Sequence, residues 1–427
     1  MLLLKNGLVY NPAEGICKKL DILIENGRIA QIGEPGELAG GDQVLDLMGC
    51  QVAPGLVDVH VHFRDPGFTY KEDILTGAQA AARGGFTTVV LMANTRPPVD
   101  NTETLGYVLE KGKQTGIHVE SCGTITKGLA GKELTDMEKL RLAGAAGFTD
   151  DGIPMLDEGL VKQAMEEAVR LDVPLSFHEE DPAYIENNGV NRGKASAHYG
   201  IGGSDRQAEI SLVERDVKLA AETGAKINIQ HISTREGVAL VREGKKKNPR
   251  ICAEATPHHF SLTEDAVIAH GTLAKMNPPL REEADRLAII EGLKDGTIDF
   301  IATDHAPHST EEKAKDITVA PSGIIGLETA LALGITNLVR TGKLTLQELL
   351  AKMTCNPARF YGLDAGRIVE GAPADLVVFR EDEPFVAGDF ASKSDNSPFT
   401  GQTLYGKVKY TICGGSIVYQ EKEGAEE

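Results

Sequence analysis

At 427 residues the chain exceeds one ordinary core, and at roughly 150 residues per domain it has room for one large and one small domain. Hydrophobic residues at 41% and charged residues at 25% exclude disordered and fibrous classes, and a net charge of -19 spread along the sequence argues against a nucleic-acid partner. Six cysteines without a CxxC pair, an N-terminus lacking the basic start and apolar core of a signal peptide, and no run of 18 apolar residues together predict a cytoplasmic protein with no membrane partner.

The first fifty residues alternate short apolar runs with turn signals (LLLKNG, DILIENGRIAQIGE, QVLDLMG), and their NG pairs predict tight hairpins in a small antiparallel β unit. From Leu56 the texture changes to short β-branched runs separated by amphipathic stretches such as ETLGYVLEKGKQTG and REGVALVREGKKK. Eight strands are predicted near 56–62, 87–92, 118–124, 147–151, 174–178, 226–232, 251–256 and 299–304. After ELLAKM and CNPARFYGL the hairpin texture returns in ADLVVF and KVKYTICGGSIVYQ, and the terminal EKEGAEE reads as a frayed acidic tail. The expected architecture is an α/β (β/α)8 TIM barrel over 55–361, with a small β-sandwich domain built from both chain ends, 1–54 and 362–427. Alternation alone would also suit a doubly wound open sheet; the polar residues at the strand ends decide between them.

The segment DVHVHFRDPG carries the sharpest signal. In a regular strand His60 and His62 share a face with Asp58 and Arg64, while Val57, Val59, Val61 and Phe63 form the other. Such a polar row marks a strand that ends in a site, where two structural histidines would be the plainer reading. Further candidate ligands recur at other strand ends: Asp150 and Asp151 in GFTDDG, His178, His231, and Asp304 in FIATDHAPH. Imidazoles and carboxylates converging at one end of a barrel suit Zn2+, and six ligands exceed one catalytic zinc, so a metal pair sharing a carboxylate and holding a hydroxide is expected.

HxH on strand one, histidines on strands five and six and Asp on strand eight resemble the amidohydrolase superfamily over nearly the whole chain. DVHVHFRDPG (58–67) and ATDHAPHSTEEK (302–313) resemble the two signature segments of dihydroorotases, and TPHH (256–259), KMNPPLR (275–281) and EGAPADLVVF (370–379) resemble the long bacterial type I form. The resemblance implies reversible cyclisation of N-carbamoyl-L-aspartate to (S)-dihydroorotate and water in pyrimidine (UMP) biosynthesis. It implies two Zn2+ per subunit: His60 and His62 with Asp304 on the first, His178 and His231 on the second, and Asp151 bridging. Metal-activated hydroxide would attack the ring carbonyl, with Asp304 as general acid/base. Arg64 and Asn94 would hold the substrate α-carboxylate near His62 and His308, and Asn277 with the backbone of Ser322 and Gly323 would contact the ring. The family's frequent Phe-Gly is Ser322-Gly323 here.

Strand parity supports Asp151 over Asp150, because Phe148 and Asp150 share the face that belongs against the helices. Parity likewise sets Asp304 with Phe300 and Ala302 and leaves His305 opposite, as a structural histidine. His258 and His259 suit packing or support of a ligand, Glu179 and Glu180 the barrel mouth, and Lys245 to Lys247 an exposed helix end. With no lysine from 140 to 160, a carbamylated-lysine bridge is not expected. Residues 308–323 suit a mobile lid. The rival readings are another cyclic amidohydrolase (allantoinase, hydantoinase, dihydropyrimidinase), whose substrates need no Arg-held carboxylate, and a non-catalytic scaffold for aspartate transcarbamoylase, which would have lost ligands. A homodimer and a transcarbamoylase partner both remain compatible with the resemblance.

Overall fold

The computed structural model describes residues 1–422; residues 423–427, most of the expected acidic tail, lie outside the described residues. The chain opens with strands β1 (Leu2–Asn11), β2 (Ile16–Glu25) and β3 (Arg28–Gly33), paired antiparallel, then β4 (Gln43–Asp46) and β5 (Gln51–Pro54), which lie parallel to β1. Of the two NG pairs, Asn26-Gly27 makes the expected β2–β3 turn, with φ of 50° and 76°. Asn6-Gly7 instead makes a bulge inside β1, where the register shifts between Leu4 and Gly7 and the Asn6 N–H donates to Asp21.

Eight parallel strands follow: β6 (Leu56–Val61), β7 (Phe86–Leu91), β8 (His118–Ser121), β9 (Phe148–Thr149), β10 (Leu175–Phe177), β11 (Ile227–Ile229), β12 (Ile251–Ala255) and β13 (Phe300–Ile301). All eight overlap the windows expected from sequence. They form two ladders, β6 to β8 and β9 to β13, and the bridges Gly123 to Phe148 and Val61 to His305 close the ring. Side chains fill the interior: Val57, Val59, Val90, Met92, Phe300 and Ala302 pack with Phe360 and Tyr361 of the helix Cys355–Tyr361. The Tyr361 hydroxyl is 2.9 Å from Ser176 Oγ of β10, so this helix plugs the barrel at the strand starts, opposite the polar strand ends.

The regular-strand reading of 57–64 fails at one place. Val57 and Val59 face the interior cluster, whereas Val61 and Phe63 pack outward with Ile74 and Ala78. A register shift against β7 between Asp58 and Val61 resets the alternation, so Asp58 does not share the face of the two histidines. Its carboxylate instead accepts the backbone N–H of His60 at 3.1 Å and of Thr303 at 3.2 Å, across the seam between the first and last barrel strands. Full burial raises its pKa to about 7.

The chain then returns to its start. Strand β14 (Leu376–Val386) pairs antiparallel with β5, and β15 (Thr403–Cys413) and β16 (Ser416–Gln420) extend the sheet. The ladder is one continuous eight-stranded sheet, ordered β16-β15-β14-β5-β1-β2-β3 with β4 on β1, rather than two separate sheets. Bulges in β1 and β14 bend it around Leu4, Ile22, Ile24, Leu47, Val52 and Leu376.

Candidate active site and metal centre

The polar strand ends converge. His62 Nε2 lies 2.9 Å from Asp304 Oδ1 and 3.4 Å from Asp151 Oδ2, and His60 Nε2 lies 3.4 Å from both Asp151 Oδ1 and Asp304 Oδ1. His178 Nδ1 faces His231 Nε2 at 2.9 Å, and these atoms are 3.7 and 3.9 Å from Asp151 Oδ1. All six side chains are buried. They come from the ends of five strands or the residues just past them, β6 giving both His60 and His62, the usual place for barrel chemistry. The backbone is bent to deliver them: His231 and Asp304 have φ of 31° and 47°, left-handed values that a non-glycine residue keeps only when its surroundings enforce them.

The donor set fits divalent cations. His60 Nε2 is buried without a hydrogen-bond partner although it points at two carboxylates. Donor atoms within 4.8 Å of one another group as His60, His62 and Asp151; as His60, His231 and Asp304; and as Asp151, His178 and His231. His60, His231 and Asp151 each belong to two of these groups, and of the three only Asp151 is a carboxylate, with oxygens 3.4 to 3.9 Å from all four histidines. Nitrogen and oxygen donors of this kind suit a borderline-soft ion. Burial alone would raise the Asp151 pKa, but the imidazoles of His60, His178 and His62 hold it well below the usual carboxylate range. Burial alone would lower the His60 pKa, and Glu254, Asp304 and Asp151 override it to hold it well above the usual histidine value.

A cavity of about 180 Å³ opens on the cluster, and Arg64, Asn94, Asn277, His308 and Ser322 line it beside the candidate ligands. Arg64 has φ 59°; its Nε donates to the Pro307 carbonyl at 3.2 Å and its Nη2 lies 3.4 Å from His308 Nε2. Lys71 Nζ donates to His308 Nδ1 at 3.1 Å. Burial, then the cations of Arg64, Lys71 and Lys313, push the His308 pKa far below the ordinary histidine value, leaving a neutral ring between two cations. Asn277 Oδ1 is buried without a partner. Asn94 faces both ways: its Oδ1 lies 3.0 Å from His62 Nδ1, and its Nδ2 donates to Asp151 Oδ2 at 3.1 Å. Gly323 departs from expectation, because its N–H donates to the Lys275 carbonyl and its own carbonyl accepts from Lys313 and Asn396. Its backbone is spoken for, and Ser322 alone of that pair reaches the cavity.

Asp150 points away from the cluster and accepts the N–H groups of Ile125 at 2.8 Å and Thr126 at 3.0 Å, as parity predicts. His305 accepts the Gly326 N–H at Nδ1 and packs edge-on to Phe63, a structural setting. His259 bridges Thr256 Oγ1 and the Pro278 carbonyl. Of the two settings open to Glu179 and Glu180 at the barrel mouth, solvated or supporting a ligand, both are buried, and Glu180 Oε2 lies 3.1 Å from His178 Nε2. Lys245 is no idle helix end, since its amine reaches Asp299. Sequence reasoning passed over Glu254, which meets His60 Nδ1 at 2.5 Å. The available signal was an acid inside the apolar strand ICAEA, where a charge must have a built partner.

Residues 51–418 match the amidohydrolase family model. A curated dihydroorotase of Clostridioides difficile is 56% identical over 98% of this chain and 100% of its own length, and one of Clostridium acetobutylicum is 53% identical over 99% and 100%. Among solved structures, an L-hydantoinase (dihydropyrimidinase) from Arthrobacter aurescens superposes with a TM-score of 0.88 at 25% identity, covering 99% of this chain and 96% of that one. A dihydropyrimidinase from Brevibacillus agri gives a TM-score of 0.85 at 21% identity, covering 99% and 95%, and shares the fold. With its six-residue cluster at the barrel mouth and relatives that match it end to end at more than half identity, the chain belongs to the amidohydrolase family and, within it, to the dihydroorotases.

Proposed function

We propose that this site interconverts N-carbamoyl-L-aspartate and (S)-dihydroorotate, the ring-closing step of pyrimidine biosynthesis. The observation that carries the substrate is the pairing of Arg64 and His308 on one wall of the cavity with the histidine and aspartate cluster on another. A ring amide at the cluster leaves its carboxylate within reach of a guanidinium, and that pairing is short and directional. Hydantoin and dihydrouracil carry no such carboxylate.

His60, His62 and Asp304 would hold one ion, His178 and His231 the other, and Asp151 both. When bound, two divalent ions, zinc by their donors, would supply Lewis acidity toward the ring carbonyl and water that ionises near neutral pH. Asp304 Oδ1 faces His62 Nε2 at 2.9 Å, and its Oδ2 accepts no hydrogen bond among the described residues. That oxygen is the one placed to move a proton. In cyclisation Asp304 takes the proton of the ureido nitrogen as the nitrogen closes on the β-carboxyl carbon. It passes that proton to the departing oxygen, which leaves as water with one further proton from solvent; hydrolysis runs the same steps backwards. Asn94 holds His62 and Asp151 in place, and the unpartnered Asn277 Oδ1 is available to a ring N–H.

The same reading divides the chain into a barrel over 55–361 and a β domain from 1–54 and 362–427. Six free cysteines suit a cytoplasmic setting, and no helix among the described residues is long and apolar enough to cross a membrane. The test is turnover of dihydroorotate, allantoin, dihydrouracil and hydantoin side by side on zinc-loaded protein. Dihydroorotate is expected to lead by orders of magnitude in kcat/KM; a preference for any neutral ring overturns the substrate, and no metal with no turnover favours the scaffold reading.

A further inference from the structure

Glu254 lies in β12 and is 0% exposed. A carboxylate so placed is costly unless its oxygens are saturated. Its Oε1 meets His60 Nδ1 at 2.5 Å and accepts the His231 backbone N–H at 3.1 Å, while its Oε2 accepts Asn228 Nδ2 at 2.8 Å. No lysine or arginine pairs with it among the described residues. His62 and His178 each have an acceptor or donor of their own in Asn94 and Glu180. Glu254 is different, because one of its oxygens serves two histidines proposed to hold different ions.

We propose that Glu254 is a positioning residue that sets both halves of the metal centre at once. The inference rests on the metal reading given above. A histidine that offers Nε2 to a cation carries its proton on Nδ1, and an anionic acceptor there fixes the tautomer, aims the ring and makes the ligand more basic. For His60 that acceptor is Glu254. For His231 the same oxygen grips the backbone N–H of a residue held at φ 31°, a conformation that needs enforcement. Removing the carboxylate therefore frees one ring and relaxes the backbone that delivers the other.

The experiment is equilibrium competition for zinc between the protein and a chromophoric chelator, for wild type, Glu254→Gln and Glu254→Asp, with a urea midpoint for each metal-free protein. Glu254→Gln keeps the shape and loses the charge; it is expected to weaken both ions about 10- to 100-fold, the usual cost of losing an outer carboxylate, with a metal-free midpoint close to wild type. Glu254→Asp keeps the charge at a shorter reach and falls between. Unchanged affinity in Glu254→Gln overturns the proposal, and so does a loss confined to one ion or explained by a lower metal-free midpoint. Should Glu254→Gln not fold, wild type supplies the readout. Its zinc-loaded form is expected to show a slowly exchanging, far-downfield imidazole proton coupled to His60 Nδ1, and absence of that signal overturns the proposal. Wild type that binds no zinc contradicts the metal reading itself, a separate failure.

Discussion

Arg64 does its work from a strained backbone position, φ 59°, with Nε tied to the Pro307 carbonyl and Nη2 against a neutral His308. Because it touches no proposed metal ligand, Arg64→Ala should keep both ions and lose substrate. A charge-assisted pair with a carboxylate contributes about 2 kcal/mol, so kcat/KM for dihydroorotate is expected to fall about thirtyfold or more at unchanged zinc content. Wild-type kcat/KM in that variant would remove the main argument for a carboxylate-bearing substrate. Asp151 yields a second prediction. The nearest lysines in sequence stand on the helices Met137–Leu142 and Glu158–Leu171, where Lys139 is exposed and Lys162 sits 3.8 Å from Glu222. With a carboxylate already between the histidines, apoenzyme given zinc in bicarbonate-depleted buffer should regain full activity, and Asp151→Ala should lose zinc and activity. A bicarbonate requirement would contradict this. The six clustered residues were legible because each stands at a strand end, where a charge on a buried strand needs a reason. Glu254 was less legible, since its partner His60 lies 194 residues away.

At the scale of elements, the loop 308–323 is the segment whose polarity suggested a mobile lid. Two buried lysines strap it: Lys275 Nζ donates to the carbonyls of Ile317 and Ala320 at 2.7 Å, and Lys313 Nζ to those of Pro321 and Gly323 at 3.0 Å. Burial lowers the Lys313 pKa to about 7, the cost of using an amine to satisfy loop carbonyls. Lys313→Met should leave the Pro321 carbonyl unpaired and the Gly323 carbonyl held by Asn396 alone, and so loosen the position of Ser322. The expected outcome is faster hydrogen exchange across 319–323 and a severalfold higher KM for dihydroorotate, with zinc content unchanged. Exchange and KM equal to wild type would mean that the strap does not hold the loop. Composition could mark this segment as polar and irregular, but the straps join positions that only the fold brings together. Strand β6 failed for a related reason. Period-two alternation assumes a regular ladder, and the shift between Asp58 and Val61 breaks it inside the segment whose pattern was clearest.

For the whole molecule, hairpin texture at both ends predicted that the termini pair, and β5 against β14 is that pairing. Its consequence for the barrel was not legible, because it depends on which residues meet. Asn396, between β14 and β15, accepts the His308 N–H and donates to the carbonyls of Ala306 and Gly323, so the C-terminal segment buttresses the cavity. At the other end of the barrel, His118 at the start of β8 meets Asp375, just before β14, at 3.0 Å. The Asp375 carboxylate, with the Cys413 thiol of β15 beside it, raises the His118 pKa to about 10 against a smaller opposing effect of burial. Glu120, on the same strand, is the other charged group coupled to it. A histidine whose folded pKa lies above its unfolded value near 6.5 contributes stability that is complete below about pH 6.5 and lost as pH rises toward 10. The His118 side chain is 46% exposed, so screening limits the size of the effect and leaves its direction. The difference in urea midpoint between wild type and His118→Gln should therefore be level from pH 5.5 to 6.5 and shrink steadily to pH 10. A difference that stays constant or grows over that range would show that the contact joining barrel and terminal sheet is not an ion pair.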